Sequence, residues 1–363
     1  MKVLVTGASG LIGASLVREL LTAGCHVRAL VRPTSDPRAL AGLPVEIVHG
    51  DILSPDSLAA AAADCELLFH TAAIFAYQGH TDRQLESVAV DGTINALEAA
   101  RRAGVRRVTL TSSSVTLGSA ATRTIRDEND TLTGAPDSAY AAAKVRQEQA
   151  AFARAAELGL DLVVVCPTIT VGPHDFRLSP SNGAIMTYLA DPFRITFPGG
   201  CNVVAARDVA RGHLLAAARG ETGQRYVLGG ENLEWIDIHR LIARLCGVPG
   251  PLSFTNHTGA YLTAAAHELV SWLGRRPPTT TRTQARMVGR YYWYRHERAA
   301  ALGYAPAPAR EALATAVAWL AASPHVSRAL RATLRLSREV YDARRKMEQA
   351  EAALRGRPVA GGR

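Results

Sequence analysis

The sequence predicts an α/β protein: a doubly wound parallel sheet with a smaller, mostly helical C-terminal lobe attached to it. Three observations predict this. Short β-branched runs alternate with helical stretches through the first half of the chain, the pattern of a parallel sheet covered on both faces. A glycine-rich turn stands between the first strand and the first helix. From about Val171 the alternation gives way to Gly-Pro, Ser-Pro and Asp-Pro breaks at Gly172, Ser179 and Asp191, which marks a separate lobe.

The runs that read as strands are Val3–Val5, Val27–Val31, Val45–Val48, Leu67–Phe69, Val108–Leu110, Leu162–Val165 and, much later, Arg225–Leu228. Among the helical stretches, Leu11–Thr22 carries Leu16 and Leu20 at helical spacing. Ser54-Pro55 sets an N-cap and a first-turn proline before an alanine-rich segment ending near Asp64. Ala139–Ala156 and Trp235–Cys246 are further helical patterns, and Ala312–Ala322 closes the lobe. The division that follows is 1–170 for the sheet domain, with a later strand within 203–228 returning to it, 171–322 for the lobe, and 323–363 for a helical tail. The end of that tail, Gly356 to Arg363, reads as disordered. At 363 residues the chain can bury a full core without disulfides.

Cys25, Cys65, Cys166, Cys201 and Cys246 are scattered without a Cys-x-x-Cys pair, which reads as reduced thiols in a cytoplasmic protein and argues against a metal site. No run approaches the length of a membrane span, and MKVLVTGASG lacks the cleavage region of a signal peptide. The net charge is +9, but from Pro324 onward ten Arg or Lys against four Asp or Glu leave +6 of it on the tail. The rest of the chain is close to balanced, so nucleic acid is not an expected partner. The tail reads as a basic appendage whose removal would leave the chemistry intact, contact with a membrane surface or an acidic partner being the lesser alternative. A homodimer is left open.

Thr6-Gly7-Ala8-Ser9-Gly10-Leu11-Ile12-Gly13 follows a strand and opens a helix. In that setting the glycines allow a tight turn, close approach of the backbone to a pyrophosphate and close packing of helix on strand, so the sheet reads as a Rossmann-type dinucleotide-binding one. An acidic residue some way beyond the glycines holds the ribose 2′-hydroxyl of NAD, whereas an arginine suits the 2′-phosphate of NADP. Here Arg32 ends the second strand, no acid competes before Asp36, and Arg38 adds a second positive charge. NADPH/NADP+ is therefore expected rather than NADH. Asp51, closing the third strand, is placed to accept a hydrogen bond from the adenine amino group.

Tyr140 and Lys144 stand one helical turn apart on one face. A lysine cation beside a phenol lowers the phenol pKa, so that the hydroxyl can exchange a proton near neutrality. The chain has only three lysines, Lys2, Lys144 and Lys346, which sharpens the pairing. The fifth strand runs into Thr111-Ser112-Ser113-Ser114 at the carboxyl edge of the sheet, where ligands of open α/β folds bind and a serine hydroxyl can hold a substrate oxygen.

These residues resemble the short-chain dehydrogenase/reductase superfamily, and within it the extended branch of the NAD-dependent epimerase/dehydratase family. The resemblance covers roughly residues 1–322 and rests on Thr6 to Gly13, Asp51-Ile52, His70-Thr71-Ala72-Ala73, the serine run, Tyr140 with Lys144, and Pro167-Thr168 followed by Gly172-Pro173. Leu30-Val31-Arg32-Pro33, Gly229-Gly230-Glu231-Asn232-Leu233 and Leu302-Gly303-Tyr304 are phrases shared with hopanoid-associated sugar epimerase-like and dihydroflavonol reductase-like proteins. The resemblance implies a Ser113–Tyr140–Lys144 triad with Ser114 as a neighbour. It also implies cofactor contacts at Gly7, Ser9, Gly10, Leu11, Ile12, Gly13, Arg32, Asp51, Ile52, Thr71, Ala72 and Ala73. Lys144 would bind the nicotinamide ribose, and Pro167 and Thr168 would lie near the nicotinamide. Two phrases depart from the pattern: Ala89 replaces the asparagine usual before Val-x-Gly-Thr, and Arg207-Asp208-Val209 replaces Asp-Asp-Val.

Sugar dehydratases of the branch carry Thr-Asp-Glu where this chain has Ser113-Ser114-Val115, so elimination of water lacks its acid and base. Arg32 argues against an NAD-retaining nucleotide-sugar epimerase. What remains first is an NADPH-dependent reductase acting on a small-molecule carbonyl, then an epimerase, then a cofactor-sensing protein without catalysis. Phe75, Tyr77, Phe176, Tyr188, Phe193 and Phe197 give the expected substrate segments an aromatic character that suits a planar or apolar molecule, while Arg177 and Arg194 offer a phosphate clamp. The run Tyr291–Tyr294 reads as a lobe strand.

Overall fold

The computed structural model describes residues 1–75, 79–274 and 281–356. Tyr77 and the tail end from Arg357 lie outside the described residues. The central sheet contains β1 (Lys2–Thr6), β2 (His26–Val31), β3 (Glu46–His49), β4 (Leu67–His70), β5 (Arg107–Thr111), β6 (Leu162–Pro167) and β7 (Arg225–Leu228). They form one seven-stranded sheet in the order β7-β6-β5-β4-β1-β2-β3, and every neighbouring pair is parallel. The order reverses between β1 and β4, which opens a crevice at their carboxyl ends.

Both faces of this sheet are covered, which is why β6 reads Leu-Val-Val-Val-Cys-Pro and is buried along its whole length. Alternate side chains serve opposite layers. Leu4, Leu68, Leu110 and Val164 pack with Ala96, Leu97 and Ala151, which belong to α3 (Asp82–Arg102) and α4 (Ala139–Leu158). Val3, Val5, Val27 and Phe69 pack with Leu16, Leu20 and Ala210, from α1 (Leu11–Thr22) and α5 (Ala206–Arg219). Helix α2 (Pro55–Ala62) starts at Ser54, whose side chain accepts from Ser57 N. Helix α3 is absent from the sequence reading. Its start is a capping box in which Thr81 Oγ1 accepts from Gln84 N at 3.2 Å and Gln84 Oε1 accepts from Thr81 N at 2.9 Å.

The lobe has its helices, and it also has a sheet that the sequence reading anticipated only at Tyr291–Tyr294. Glu231–Glu234, Gly200–Ala205, Tyr291–Tyr294 and Ile125–Arg126 lie side by side, and Ile169–Val171 pairs with Gly200–Ala205. Within the span 203–228 it is thus β7 that returns to the central sheet. Asn202 joins the strands: its Oδ1 accepts from Thr168 Oγ1 and Gly230 N, each at 2.7 Å, and its Nδ2 donates to Asn232 Oδ1 at 2.7 Å. The lobe core gathers Ile185, Val203, Ile238, Tyr292 and Val317, and its closing helix is α6 (Ala309–Ala322).

The basic tail is not an appendage. It is helical over Arg328–Thr333 and in α7 (Arg338–Arg355). Val326 and Val340 enter the lobe core, Met347 packs against it, and Leu354 joins Leu20 and Leu40 in the core under α1. The heptad stripe Val340, Met347, Leu354 is thus a docking face. At its far end Glu351 accepts from Arg18 Nε at 2.8 Å and Nη2 at 2.9 Å, while Arg18 Nη1 donates to Ala39 O at 3.0 Å. The tail therefore runs as a strap from the lobe to the sheet domain.

Candidate active site

The glycine turn owes its shape to close approach. Gly7 adopts φ +69, and a Cβ there would stand 2.7 Å from Ala72 Cα. A Cβ on Gly13 would stand 2.2 Å from Gly7 O. At Gly10 the nearest atom is Gly7 O at 3.4 Å, so the space beside it is open on the side where a ligand approaches. Thr71 Oγ1 donates to Thr6 O at 2.7 Å and Ala72 N donates to Thr6 Oγ1 at 3.4 Å, which locks the end of β4 to the turn after β1. Leu11 and Ile12 begin α1, whose N-cap Gly10 supplies no side-chain cap, so the first-turn N–H groups are available to an anion. Gly13→Ala is expected to distort this turn, costing about 1–3 kcal/mol by overpacking and abolishing measurable dinucleotide binding. Chemical denaturation and a cofactor titration check this, and normal binding by the variant would contradict the tight-turn reading.

Around the second strand, Arg32 is exposed and its carbonyl accepts from Ser35 N at 2.9 Å, closing a turn. Arg38 is not the free second charge expected from sequence. Its Nε donates to Asp36 Oδ2 at 2.8 Å, and its guanidinium lies 4.9 Å over the Phe176 ring. Phe176 in turn meets Trp319 edge-on at 5.5 Å, so it wedges lobe against sheet domain instead of lining the carbonyl end of the crevice. Tyr188 is also displaced from its expected part: it is buried in the lobe core, stacked 4.3 Å from His239, with Arg194 over its ring at 5.8 Å. Asp51 Oδ1 accepts from Leu53 N at 3.0 Å, and Ile52 is buried against Gly92 of α3. Pro167 ends β6, and Thr168 N donates to Leu228 O at 3.3 Å.

The three serines after β5 part company. Ser112 donates inward to Glu148. Ser113 Oγ accepts from Val115 N at 3.4 Å, and its hydroxyl acts on the Tyr140 phenol, drawing that pKa down. Tyr294 OH donates to Gly118 O at 2.9 Å, which fastens the lobe sheet, and the buried Ser114 hydroxyl acts on that phenol. Tyr140 sits in the first turn of α4, capped by Ser138, whose Oγ accepts from Ala141 N at 3.1 Å. The Phe75 ring stands 5.0 Å from it, centroid to centroid. Lys144 Nζ donates to Thr111 O at 3.0 Å and to Gln147 Oε1 at 2.8 Å, and Gln147 Nε2 donates to Thr93 Oγ1 on α3 at 2.8 Å.

Burial decides the protonation states. It pushes the Tyr140 phenol up to about 12, with the Ser113 hydroxyl acting the other way. The expected lowering by Lys144 is not what governs this tyrosine, because Lys144 is drawn toward Thr111 and Gln147. Burial pulls Lys144 itself down to about 8, and the Glu148 carboxylate holds it up, so the ammonium form prevails at neutral pH. Glu148 is one turn beyond Lys144, accepts from Thr116 Oγ1 at 2.8 Å and pairs with Arg225 at 3.2 Å. Sequence reasoning missed Gln147 and Glu148, although Tyr140, Lys144 and Glu148 continue one i, i+4 ladder. Among the described residues no group of three or more His, Cys, Asp or Glu could hold a metal ion, and all five cysteines are free and buried. Nor is any described helix long and apolar enough to cross a membrane.

A parallel sheet with a glycine turn on its first strand and a Ser–Tyr–Lys cluster beyond its fifth defines a dinucleotide-dependent oxidoreductase. The chain belongs to the NAD dependent epimerase/dehydratase family, whose model matches residues 3–229, and so to the extended short-chain dehydrogenases/reductases. It is 35% identical over 326 residues to a putative dihydroflavonol 4-reductase of Synechocystis sp., covering 87% of this chain and 93% of that one. It is 38% identical over 251 residues to sterol demethylase protein B of Methylococcus capsulatus, covering 69% and 76%. Among solved structures, gox2253 superposes with a TM-score of 0.78 at 32% identity, covering 90% of this chain and 99% of that one.

Proposed function

We propose that the protein is an NADPH-dependent reductase of a ketone or aldehyde carbon in a small apolar or aromatic molecule. The observation that carries this reading is the buried Tyr140 phenol, on which the Ser113 hydroxyl acts, one helical turn from a Lys144 whose Nζ is fixed to Thr111 O at 3.0 Å at the carboxyl edge of the sheet. The residues present fit the cofactor. The open side of Gly10, the first turn of α1 with Ser9, Leu11 and Ile12, and the end of β4 at Thr71, Ala72 and Ala73 would cradle the pyrophosphate. Asp51 and Ile52 would meet the adenine, Arg32 the 2′-phosphate, and Lys144, Pro167 and Thr168 the nicotinamide riboside. When bound, NADPH supplies the hydride for the carbonyl carbon.

In this reading Ser113 and Tyr140 donate to the carbonyl oxygen, and Tyr140 hands it a proton as negative charge develops there. A phenol held protonated by burial is the form that step needs. Lys144, fixed by Thr111 and Gln147, supplies a positive field that favours the tyrosinate left behind. Phe75, 38% exposed and against Tyr140, offers an apolar wall for the substrate. That character agrees with relatives named for a dihydroflavonol and a sterol.

The test is NADPH oxidation by the purified protein over a panel of aromatic and aliphatic carbonyls, run beside UDP-sugars. Turnover of a carbonyl with stoichiometric loss of NADPH supports the reading. Net inversion of a UDP-sugar without NADPH consumption would replace it with an epimerase, and silence in both arms with tight cofactor binding would replace it with a sensor. For cofactor choice, Arg32→Ala is expected to weaken NADPH roughly 10- to 100-fold, the worth of a charge-assisted hydrogen bond, and NADH far less. Equal losses would contradict the assignment of Arg32.

A further inference from the structure

One basic side chain stands at the cofactor crevice without belonging to the sheet domain. Arg177 comes from the lobe, in the loop after Gly172-Pro173, and its Nη2 donates to Ser35 Oγ at 3.0 Å and to Ser9 Oγ at 3.3 Å. Ser9 is in the glycine turn, and Ser35 closes the turn that starts at Arg32. We propose that Arg177 is the second ligand of the cofactor 2′-phosphate, acting with Arg32, so that the lobe as well as the sheet domain selects NADP over NAD. This deepens the NADPH reading and rests on it.

The loop is built to hold that side chain in place. Asp175 is buried, and its Oδ2 accepts from Ser179 N at 2.8 Å, Ser179 Oγ at 2.6 Å and Asn182 Nδ2 at 2.9 Å. Asn182 also donates to Gly172 O at 2.8 Å and accepts from Gly172 N at 3.3 Å, closing the loop on itself. His174 and Leu178, on either side of Phe176-Arg177, take φ values of +65 and +54, which non-glycine residues adopt only where their surroundings impose it. Phe176 is clasped between Trp319 and the Arg38 guanidinium. Glu351 of the strap approaches His174 Nε2 to 3.8 Å, and burial holds that imidazole neutral, its pKa pushed down to about 3.

The charge pattern calls for an anion. The hydrogen bonds of Arg177 go to two hydroxyls and, among the described residues, to no carboxylate. Asp36 and Asp175 both exert some pull on it, but Asp36 is engaged by Arg38 and Asp175 by Ser179 and Asn182. Burial and the neighbouring Arg32 both depress the Arg177 pKa, the sign of two cations facing one another. A phosphate dianion between two guanidiniums relieves that repulsion, and the planar fork of arginine suits phosphate oxygens. Ser35 lies on the Arg32 turn and is nearer than Ser9, which favours the 2′-phosphate over the pyrophosphate.

The experiment measures dissociation constants of the full chain for NADPH, NADH, 2′-AMP and AMP, with the variants Arg177→Ala, Arg177→Lys, Arg32→Ala and the double alanine variant. Arg177→Ala should weaken NADPH and 2′-AMP by roughly 10-fold or more and leave NADH and AMP close to the parent. Arg177→Lys should recover part of the loss. Equal weakening of NADPH and NADH, with or without a lower melting temperature, assigns Arg177 to the pyrophosphate or to folding and overturns the inference, as does no change at all. If the parent protein prefers NADPH and Arg32→Ala removes that preference while Arg177→Ala does not, the inference fails alone. Should the parent bind NADH as tightly as NADPH, the underlying cofactor reading falls with it.

Discussion

Tyr140→Phe is expected to lower kcat by roughly 10²- to 10⁴-fold, the range for losing a positioned general acid, and to leave the NADPH dissociation constant nearly unchanged. The substitution removes one oxygen and little else. The ring keeps its place against Phe75 at 5.0 Å, and the start of α4 keeps its Ser138 cap. Lys144 donates its hydrogen bonds to Thr111 O and Gln147 Oε1 rather than to the phenol, so the cofactor side of the site stays ordered. Ser113 Oγ keeps its hydrogen bond from Val115 N. A fall in kcat with binding retained is thus specific to proton transfer, measured by steady-state turnover beside a fluorescence titration. A variant as active as the parent would sink the proposed mechanism.

Deleting residues 324–363 is expected to cost several kcal/mol of stability, enough to lower the melting temperature sharply or prevent folding. Val326, Val340 and Leu354 are 3%, 1% and 5% exposed, and they seal two different cores. Truncating a single buried leucine to alanine costs about 2–5 kcal/mol, so losing all three approaches the whole margin of about 5–15 kcal/mol on which folded proteins rest. The deletion also strips Arg18, only 12% exposed, of its carboxylate partner. Leu354→Ala separates the packing effect from that ion pair, with an expected loss of about 2–4 kcal/mol by urea denaturation. A truncated chain that melts with the parent would return the tail to the status of an appendage.

The features most legible in the sequence were those with a repeating local signature. Each predicted strand of the central sheet is present, because a strand buried on both faces must be a continuous β-branched run, as Leu162–Pro167 is. The glycine turn and the Tyr140–Lys144 spacing were readable because backbone geometry dictates them. Helix α3 was harder to read, since its buried face mixes Leu85 and Leu97 with the small Ala89, Gly92, Ala96 and Ala99, which weakens the hydrophobic rhythm, and its clearest mark is the Thr81–Gln84 capping box.

Direction was the other illegible quantity. Ser112, Ser113 and Ser114 are chemically alike, and only the fold sends one to Glu148, one to Tyr140 and one to Tyr294. Phe176 and Tyr188 are aromatic residues near the expected site in sequence, yet packing turns them toward Trp319 and His239. Arg177 read as a clamp for substrate phosphate, and the loop brings its guanidinium to the hydroxyls of Ser9 and Ser35.

The Arg18–Glu351 pair joins residues 333 positions apart. During synthesis α1 leaves the ribosome more than three hundred residues before the helix that covers it. Until then the apolar patch of Leu20 and Leu40 has no lid, so the nascent dinucleotide half must wait, half-sheltered, for its last piece. Chaperone dependence and aggregation during expression should therefore track how quickly translation passes from α1 to α7, and synonymous slow codons just before α7 should reduce soluble yield without altering the finished enzyme.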